Sequence, residues 1–300
     1  MKRIALALLV LLMVSGCSTA KPKEESDAKV EVTWDATPAE GMVVGDYYKE
    51  EERFRQGHLG ILEVVVKDDK LEYIHYNEYT RPNYYNRYFQ NVSKRMSEYN
   101  LSMKEGKGAA WIEGVLSAEA SMIKKQSLVD GVDTVAGASN SIEQAMVPMA
   151  EKINARLTSS ADFTGPKFYQ LTKLFDDGLV GVLKVVVQDK KIIDLSYDEI
   201  FPTDATLIKN EDLKKYAGLS KYDSVEYDEP SRIGFNIQMD ELHAKVIADQ
   251  DMFDLTGLPA IESTGDYKSA GYTERNSAWD NYLALAKEVH AQMVTDNVID

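Results

Sequence analysis

The sequence predicts an α+β chain of two tandem domains, each an antiparallel sheet with packed helices, behind an N-terminal leader and a flexible tether. Three observations predict it: a strand–turn–strand segment that occurs twice, a helix-like stretch closing each copy, and a polar, aperiodic run ahead of the first copy.

The leader comes first. Lys2 and Arg3 precede one apolar run from Ile4 to Val14, followed by Val14-Ser15-Gly16-Cys17. The run is too short to span a bilayer as a stable helix. Small residues before a cysteine resemble a bacterial lipobox, which implies a signal peptide over 1–16, palmitate-type lipid on Cys17 and attachment to the extracytoplasmic face of the cell membrane. A cleaved secretory peptide with an incidental cysteine is the alternative. Cys17 is the only cysteine, so a lipidated mature chain has no thiol for a disulfide or a cluster ligand. Residues 17–40, rich in Lys, Glu, Asp, Ser and Thr, read as the tether, with folded structure expected from Gly41.

The formal charge is −15 and becomes −17 once Lys2 and Arg3 leave with the leader. Such a surface repels nucleic acid and anionic headgroups, so no nucleic-acid partner is expected and the lipid is the cause of membrane attachment.

The repeat defines the folded part. Gly57-His58-Leu59-Gly60-Ile61-Leu62-Glu63-Val64-Val65-Val66-Lys67-Asp68-Asp69-Lys70 returns 121 positions later as Gly178-Leu179-Val180-Gly181-Val182-Leu183-Lys184-Val185-Val186-Val187-Gln188-Asp189-Lys190-Lys191, and the match runs on to Tyr76/Tyr197 and Glu78/Glu199. Each copy reads as a β-branched strand, a turn and a second strand through 71–76 or 192–197, a β-hairpin. Helices are expected over 141–157 and 277–293, where Ile142, Ala145, Met146, Met149 and Ile153, and Ala278, Tyr282, Leu285, Ala286 and Val289, recur at three- and four-residue spacing. Pro148 kinks or divides the first of these. Between hairpin and helix, 109–116 and 233–239 read as strands and 84–98 as helical. The first domain spans 41–158 and the second 165–296, with Ser159-Ser160 and Gly165-Pro166 punctuating the boundary.

Ahead of the first terminal helix stands the run from Met122 to Ser141, which contains Val132-Asp133-Thr134-Val135-Ala136-Gly137-Ala138-Ser139-Asn140-Ser141. It resembles the FMN-binding domain of the flavin-bearing subunits of sodium-pumping NADH:quinone reductase and Rnf-type complexes. Asp133, Gly137, Ala138, Ser139 and Ser141 fall on that family's pattern; Ser139 stands where the family has its acceptor threonine, and Ala136 where it has a hydroxyl residue. The resemblance implies a covalent FMN cofactor, joined by a phosphoester to Ser139 by a magnesium-dependent flavin transferase that draws on FAD. Gly137 and Ala138 leave room for close approach, and the helix beyond them offers backbone N–H groups to an anion. Read without the resemblance, Asn140 with Glu143, or Ser141 with Gln144, makes a capping box and Ser139 is a loop residue. In the second copy Tyr272, Thr273, Glu274, Arg275, Asn276 and Ser277 align with 136–141; Arg275 offers no hydroxyl, so this copy is expected to be degenerate.

Two such repeats behind a lipobox resemble the flavin lipoproteins of Gram-positive extracellular electron transfer. That implies an electron carrier supplied by a membrane NADH dehydrogenase and quinone pool and emptied by extracellular acceptors, with no catalytic residue of its own. The alternative is a flavin-free binding or interaction lipoprotein that kept the fold. Release of a peptide pheromone from the residues before Cys17 is compatible with either. His58, His75, His243 and His290 lack zinc spacing and are expected on ordinary surfaces, with no metal site. Tyr79, Tyr84, Tyr85, Tyr88 and Phe89 read as a core or helix face, with ring stacking as the alternative. No phosphate-loop or Gly-x-Ser-x-Gly fingerprint occurs, which leaves nucleotidase and hydrolase chemistry without support.

Overall fold

A computed structural model describes residues 32–132, 136–228, 234–258 and 277–299. The leader, Cys17, the first part of the tether, Asp133 and residues 272–276 of the second copy lie outside the described residues. Both hairpins form. β1 (Gly41–Phe54), β2 (His58–Lys67) and β3 (Lys70–Tyr79) belong to the first copy, and β4 (Lys167–Leu174), β5 (Val180–Gln188) and β6 (Lys191–Ile200) to the second. The repeat reaches fine detail. Asp68 and Asp69, and in the second copy Asp189 and Lys190, take left-handed backbone in the two-residue turns, as hairpin twist requires. A register shift follows at Val65/Val66 and again at Val186/Val187.

The strand order is β3-β2-β1-β4-β5-β6, antiparallel throughout, because β1 pairs with β4 from Gly41↔Thr172 to Asp46↔Lys167. The copies therefore share one six-stranded sheet, and all the described residues belong to one compact α+β unit instead of two separately sheeted ones.

Helices cover one face of this sheet. Ser139–Ser141 (α3) opens a helical run that passes through a π turn, Ile142–Met146, into α4 (Val147–Asn154), with Pro148 in the first turn of α4. A proline has no N–H to give to the ladder, and the wider π turn lets the run continue past it. Ile142, Met146, Met149 and Ile153 pack on Leu62, Val64 and Tyr76. In the second copy Tyr282, Leu285, Val289 and Met293 of the terminal helix, Ser277–Thr295, pack on Leu183, Val185 and Tyr197. Each of these fully buried side chains contributes roughly 1.5–3 kcal/mol.

Three expectations are corrected. Of the segments read as strands, 109–116 and 233–239, the described residues lie at and within the N-terminal ends of helices, α2 (Trp111–Lys125) and, after the short α5 (Val225–Asp228), α6 (Phe235–Asp249). Trp111, Ile112, Val115, Ala118 and Met122 bury one helical stripe, and the Glu113 carboxylate accepts the Ala110 N–H at 2.9 Å, capping the start. The stretch read as helical, 84–98, holds only a 3₁₀ turn at Arg87–Phe89; Asn91 is left-handed, and the first α-helix, α1, begins at Tyr99 (Tyr99–Lys107). Packing also begins before Gly41, since Trp34 and Ala36 of the expected tether are buried.

The sheet's free edges are covered the same way in both copies. Gln126 and Gln250, the left-handed residues ending α2 and α6, each turn a side-chain amide onto one strand residue: Leu71 N–H and C=O for Gln126, Ile192 N–H and C=O for Gln250, all at 2.8 to 3.0 Å. These bonds satisfy outer groups of β3 and β6 that would otherwise template further strands.

The uncovered face curls inward. Glu63 and Lys184 stand on β2 and β5, three strands apart, with six residues of offset along the strands. On a flat sheet their backbones would lie about 25 Å apart, yet Lys184 Nζ reaches Glu63 Oε2 at 3.0 Å. The sheet is therefore rolled into a half-barrel. Bridges Tyr79↔Ser93 and Ile200↔Ser220 extend its outer edges, and the Ser220 N–H donates to Met96 C=O at 3.0 Å, joining the two margins.

Candidate functional site

Two places carry candidate chemistry: the Ser139 turn, on the helical side, and the hollow of the half-barrel. At the turn, Gly137 has a φ of +97° and packs on the chain before α2, where a Cβ would meet the Ala110 carbonyl oxygen at 2.7 Å. Glycine is required there by backbone geometry and by space. Ala138 is buried, and its carbonyl accepts the Ile142 N–H at 2.9 Å, which fixes the helix start at Ser139. The N–H groups of the opening turn have no partner within the helix. Neither capping box forms. Asn140 Oδ1 instead accepts Gln144 Nε2 at 3.4 Å, and Ser141 is buried with its Oγ accepting the Trp111 indole N–H at 3.0 Å. Ser139 is half-buried, and its hydroxyl makes no hydrogen bond among the described residues. The motif's two hydroxyls thus differ: one is used in packing and one is available. Asp133 lies outside the described residues.

Beneath this turn sits a buried polar cluster. Glu78 accepts from Lys94 and from the Tyr76 hydroxyl at 3.4 Å, with His58 Nδ1 at 3.1 Å, and the Lys94 ammonium stands 5.2 Å from the Tyr99 ring and 5.8 Å from that of Trp111. Burial acts to raise the Glu78 carboxyl, but His58, Lys94 and Ser141 outweigh it and hold the group ionised below the usual range. The second copy repeats the device with Glu199, Lys221, Tyr197 Oη at 2.8 Å and Asn281 Nδ2 at 3.0 Å. A pairing present in both copies is structural. The nearby tyrosine-rich stretch divides: Phe89 is buried, the Tyr84 ring packs 4.5 Å from that of Tyr85, and Tyr85 is 78% exposed.

The hollow encloses about 710 Å³ and draws on both copies, within the range of small-molecule sites. Strand alternation sets its walls. Tyr73, His75, Asn77 and Tyr79 face inward from β3; Asp194, Ser196 and Asp198 face inward from β6; Glu63 and Lys184 meet between them. Tyr73 also packs on a small buried cluster of Tyr47, Val65, Phe168 and Val186, with Tyr47 and Phe168 stacked at 5.5 Å. Loop residues Arg95, Tyr222 and Asp223, residues 35–38, and Met239, Asp240 and His243 of α6 add to the lining.

The hollow perturbs its titratable groups. Burial opposes ionisation of Glu63, but Lys184, His75 and the Tyr47 hydroxyl at 2.7 Å hold its carboxyl well below the usual range. Burial and the charges of Arg95 and Lys184 push His75 down to about 3, so its ring is neutral. Burial, followed by mutual repulsion with Asp223, pushes Asp198 up to about 7; burial pushes Asp223 up to about 6.

The histidine expectation is therefore corrected for two residues. His58 is buried against Glu78, and His75 lies on the wall of the hollow 3.2 Å from Glu63 Oε2. Alternation within the hairpins carried a signal for this, because Glu63, His75, Lys184, Asp194 and Asp198 are polar residues at inward positions of otherwise apolar strands. Among the described residues no three His, Cys, Asp or Glu side chains converge as a metal site, and no helix is long and apolar enough to cross a membrane.

No protein-family model matches the chain, and no curated protein matches it. Among solved structures, the CPE2226 protein from Clostridium perfringens is similar over 37% of this chain and 86% of its own, at 27% identity with a TM-score of 0.29.

Proposed function

We propose that the protein is a lipid-anchored extracytoplasmic electron carrier whose FMN is joined by a phosphoester to Ser139. The observation that carries this reading is the division of labour within the motif: the Ser141 hydroxyl is consumed by Trp111, while Ser139 is half-buried and its hydroxyl has no hydrogen bond among the described residues, at the opening turn of a helix. Attachment forms the Ser139 Oγ–P bond as the pyrophosphate linkage of FAD breaks, with AMP leaving and the hydroxyl proton passing to solvent. Gly137 holds the turn against Ala110, and the opening N–H groups of the helix face the resulting phosphate charge. The bound flavin supplies the redox chemistry. The chain's own part is to keep the cofactor from diffusing away and, through lipid on Cys17, to keep it near membrane donors. The flavin transferase, a membrane NADH dehydrogenase with its quinone pool, and extracellular acceptors are the partners this reading requires. The chain then comprises two FMN-binding-type units, the second degenerate, behind a signal peptide and a lipidated tether.

Coexpression with a flavin transferase tests it. The wild-type chain and Ser141→Ala are expected to carry flavin absorbance that survives denaturation, and Ser139→Ala to lose it. A colourless wild-type protein, under conditions that label a control domain, overturns the proposal and leaves the flavin-free binding lipoprotein.

A further inference from the structure

We propose that the hollow of the half-barrel binds a small organic cation, an amine or guanidinium compound with a flat or apolar body. The site arises only where the two copies meet, and it stands apart from Ser139 on the opposite side of the sheet.

The charge pattern carries the inference. Positions related by the repeat face each other with different chemistry: Tyr73 and Asn77 on the β3 wall correspond to Asp194 and Asp198 on the β6 wall. One wall is aromatic and neutral, the other acidic. Every lysine or arginine of the lining already has a carboxylate: Lys184 has Glu63 at 3.0 Å, Arg95 has Glu119 at 2.7 Å, and Lys49 has Glu51 at 2.7 Å. Asp198, Asp223 and Asp240 have no lysine or arginine ion-pair partner among the described residues, and Asp194 has only His243 at 3.5 Å. The hollow thus holds surplus carboxylate, which a cation complements, with tyrosine rings opposite to take its body.

A second observation points to an occupant. The Thr37 hydroxyl, on a lining residue and withdrawn from solvent, makes no hydrogen bond among the described residues, and the Tyr73 hydroxyl has only the Lys184 ammonium beside it. Buried polar atoms without partners are uncommon, and a ligand amine or hydroxyl satisfies them. A metal ion is a poorer occupant, since among the described residues no three donor side chains converge. An anion meets the acidic wall.

Binding is coupled to protons. Asp198 faces Asp223, Asp194, Tyr79, Tyr222 and Asp240, with Lys184 and Arg95 deeper in the hollow, Glu98 beyond the loop and His243 on α6. Asp198 and Asp223 are partly protonated near neutrality, so a cation binds their ionised forms and expels protons. Affinity rises with pH between about 5.5 and 7.5.

The test is calorimetric titration of the mature chain with tyramine and with agmatine, and with 4-hydroxyphenylacetate as an anionic isostere of tyramine. At least one cation is expected to bind, more tightly at the higher pH by about tenfold or more, with the anion silent. Asp198→Asn with Asp223→Asn is expected to weaken the cation by about tenfold or more. Ser196→Arg places a tethered guanidinium in the same space from an exposed position, keeps the test valid if the double variant does not fold, and is expected to abolish binding. Absence of cation binding to the folded wild-type chain, equal binding of the anion, or cation binding that survives Ser196→Arg overturns the proposal.

Discussion

Replacing Lys184 by Met removes one end of the ion pair that spans the rolled sheet. Glu63 and Lys184 retain only 13% and 19% of their side-chain surface. Their contact exists because the sheet curls; on a flat sheet the two groups would not meet. With Lys184 gone, Glu63 keeps only His75 and the Tyr47 hydroxyl as close partners. Breaking a buried pair costs roughly 3–5 kcal/mol, against about 0–1 kcal/mol for an exposed one. Because the hollow admits water, the low end applies, and a loss of about 3 kcal/mol is expected. Urea unfolding at neutral pH measures it. Glu63→Gln combined with Lys184→Met removes the stranded charge and is expected to recover most of the loss. The pH dependence has a defined sign. The folded Glu63 carboxyl lies below its ordinary value, so its contribution is fully present above that value, roughly 4.3, and disappears as pH falls through the lower folded value. A loss of under about 1 kcal/mol in Lys184→Met, unchanged by Glu63→Gln, refutes the rolled-sheet geometry.

Gly137→Ala places a Cβ against the Ala110 carbonyl at positive φ and is expected to lower the unfolding free energy by about 2 kcal/mol in a urea titration. Ser141→Ala leaves the buried Trp111 indole N–H without its acceptor and is expected to cost roughly 1–3 kcal/mol, whereas Ser139→Ala leaves stability unchanged. Lys221→Met strands Glu199, which is fully buried, and is expected to cost roughly 3–5 kcal/mol by the same measurement. Asp198 binds a proton more tightly folded than unfolded. Its effect on stability therefore declines as pH rises from about 4 to about 7 and is level above, and Asp198→Asn is expected to flatten that slope.

How much of this was legible in the sequence depends on distance along the chain. The hairpins were, because a β-branched run, a two-residue turn and a second run are local and occur twice. The terminal helices were legible from apolar spacing, and Pro148 marked the place where the first changes from a π turn to an α-helix. Helix α2 was not: Ala109–Leu116 is a short apolar run that fits a strand as well, and only the stripe continuing through Ala118 and Met122 distinguishes it. The tyrosines at 84–89 imitate helical spacing, but Asn91 needs left-handed backbone and ends the pattern. The pairing of β1 with β4 carries no local signal. It appears only as charge complementarity between repeat-related residues, Asp46 with Lys167 and Glu63 with Lys184. In a pair of identical copies these positions would set like charges against each other. The hollow was hidden for the same reason, since its walls come from strands about 120 positions apart. The Ser139 motif was legible as a pattern, yet the different roles of its two hydroxyls emerge only from the Trp111 contact.

The most direct test of the carrier reading is the mass of the tryptic peptide Gln126–Lys152 from protein coexpressed with a flavin transferase. A peptide heavier by one FMN less one water, with fragment ions placing the addition on Ser139, is the expected result. An unmodified peptide from a culture in which a control domain is fully labelled, or an addition on any other residue, contradicts it.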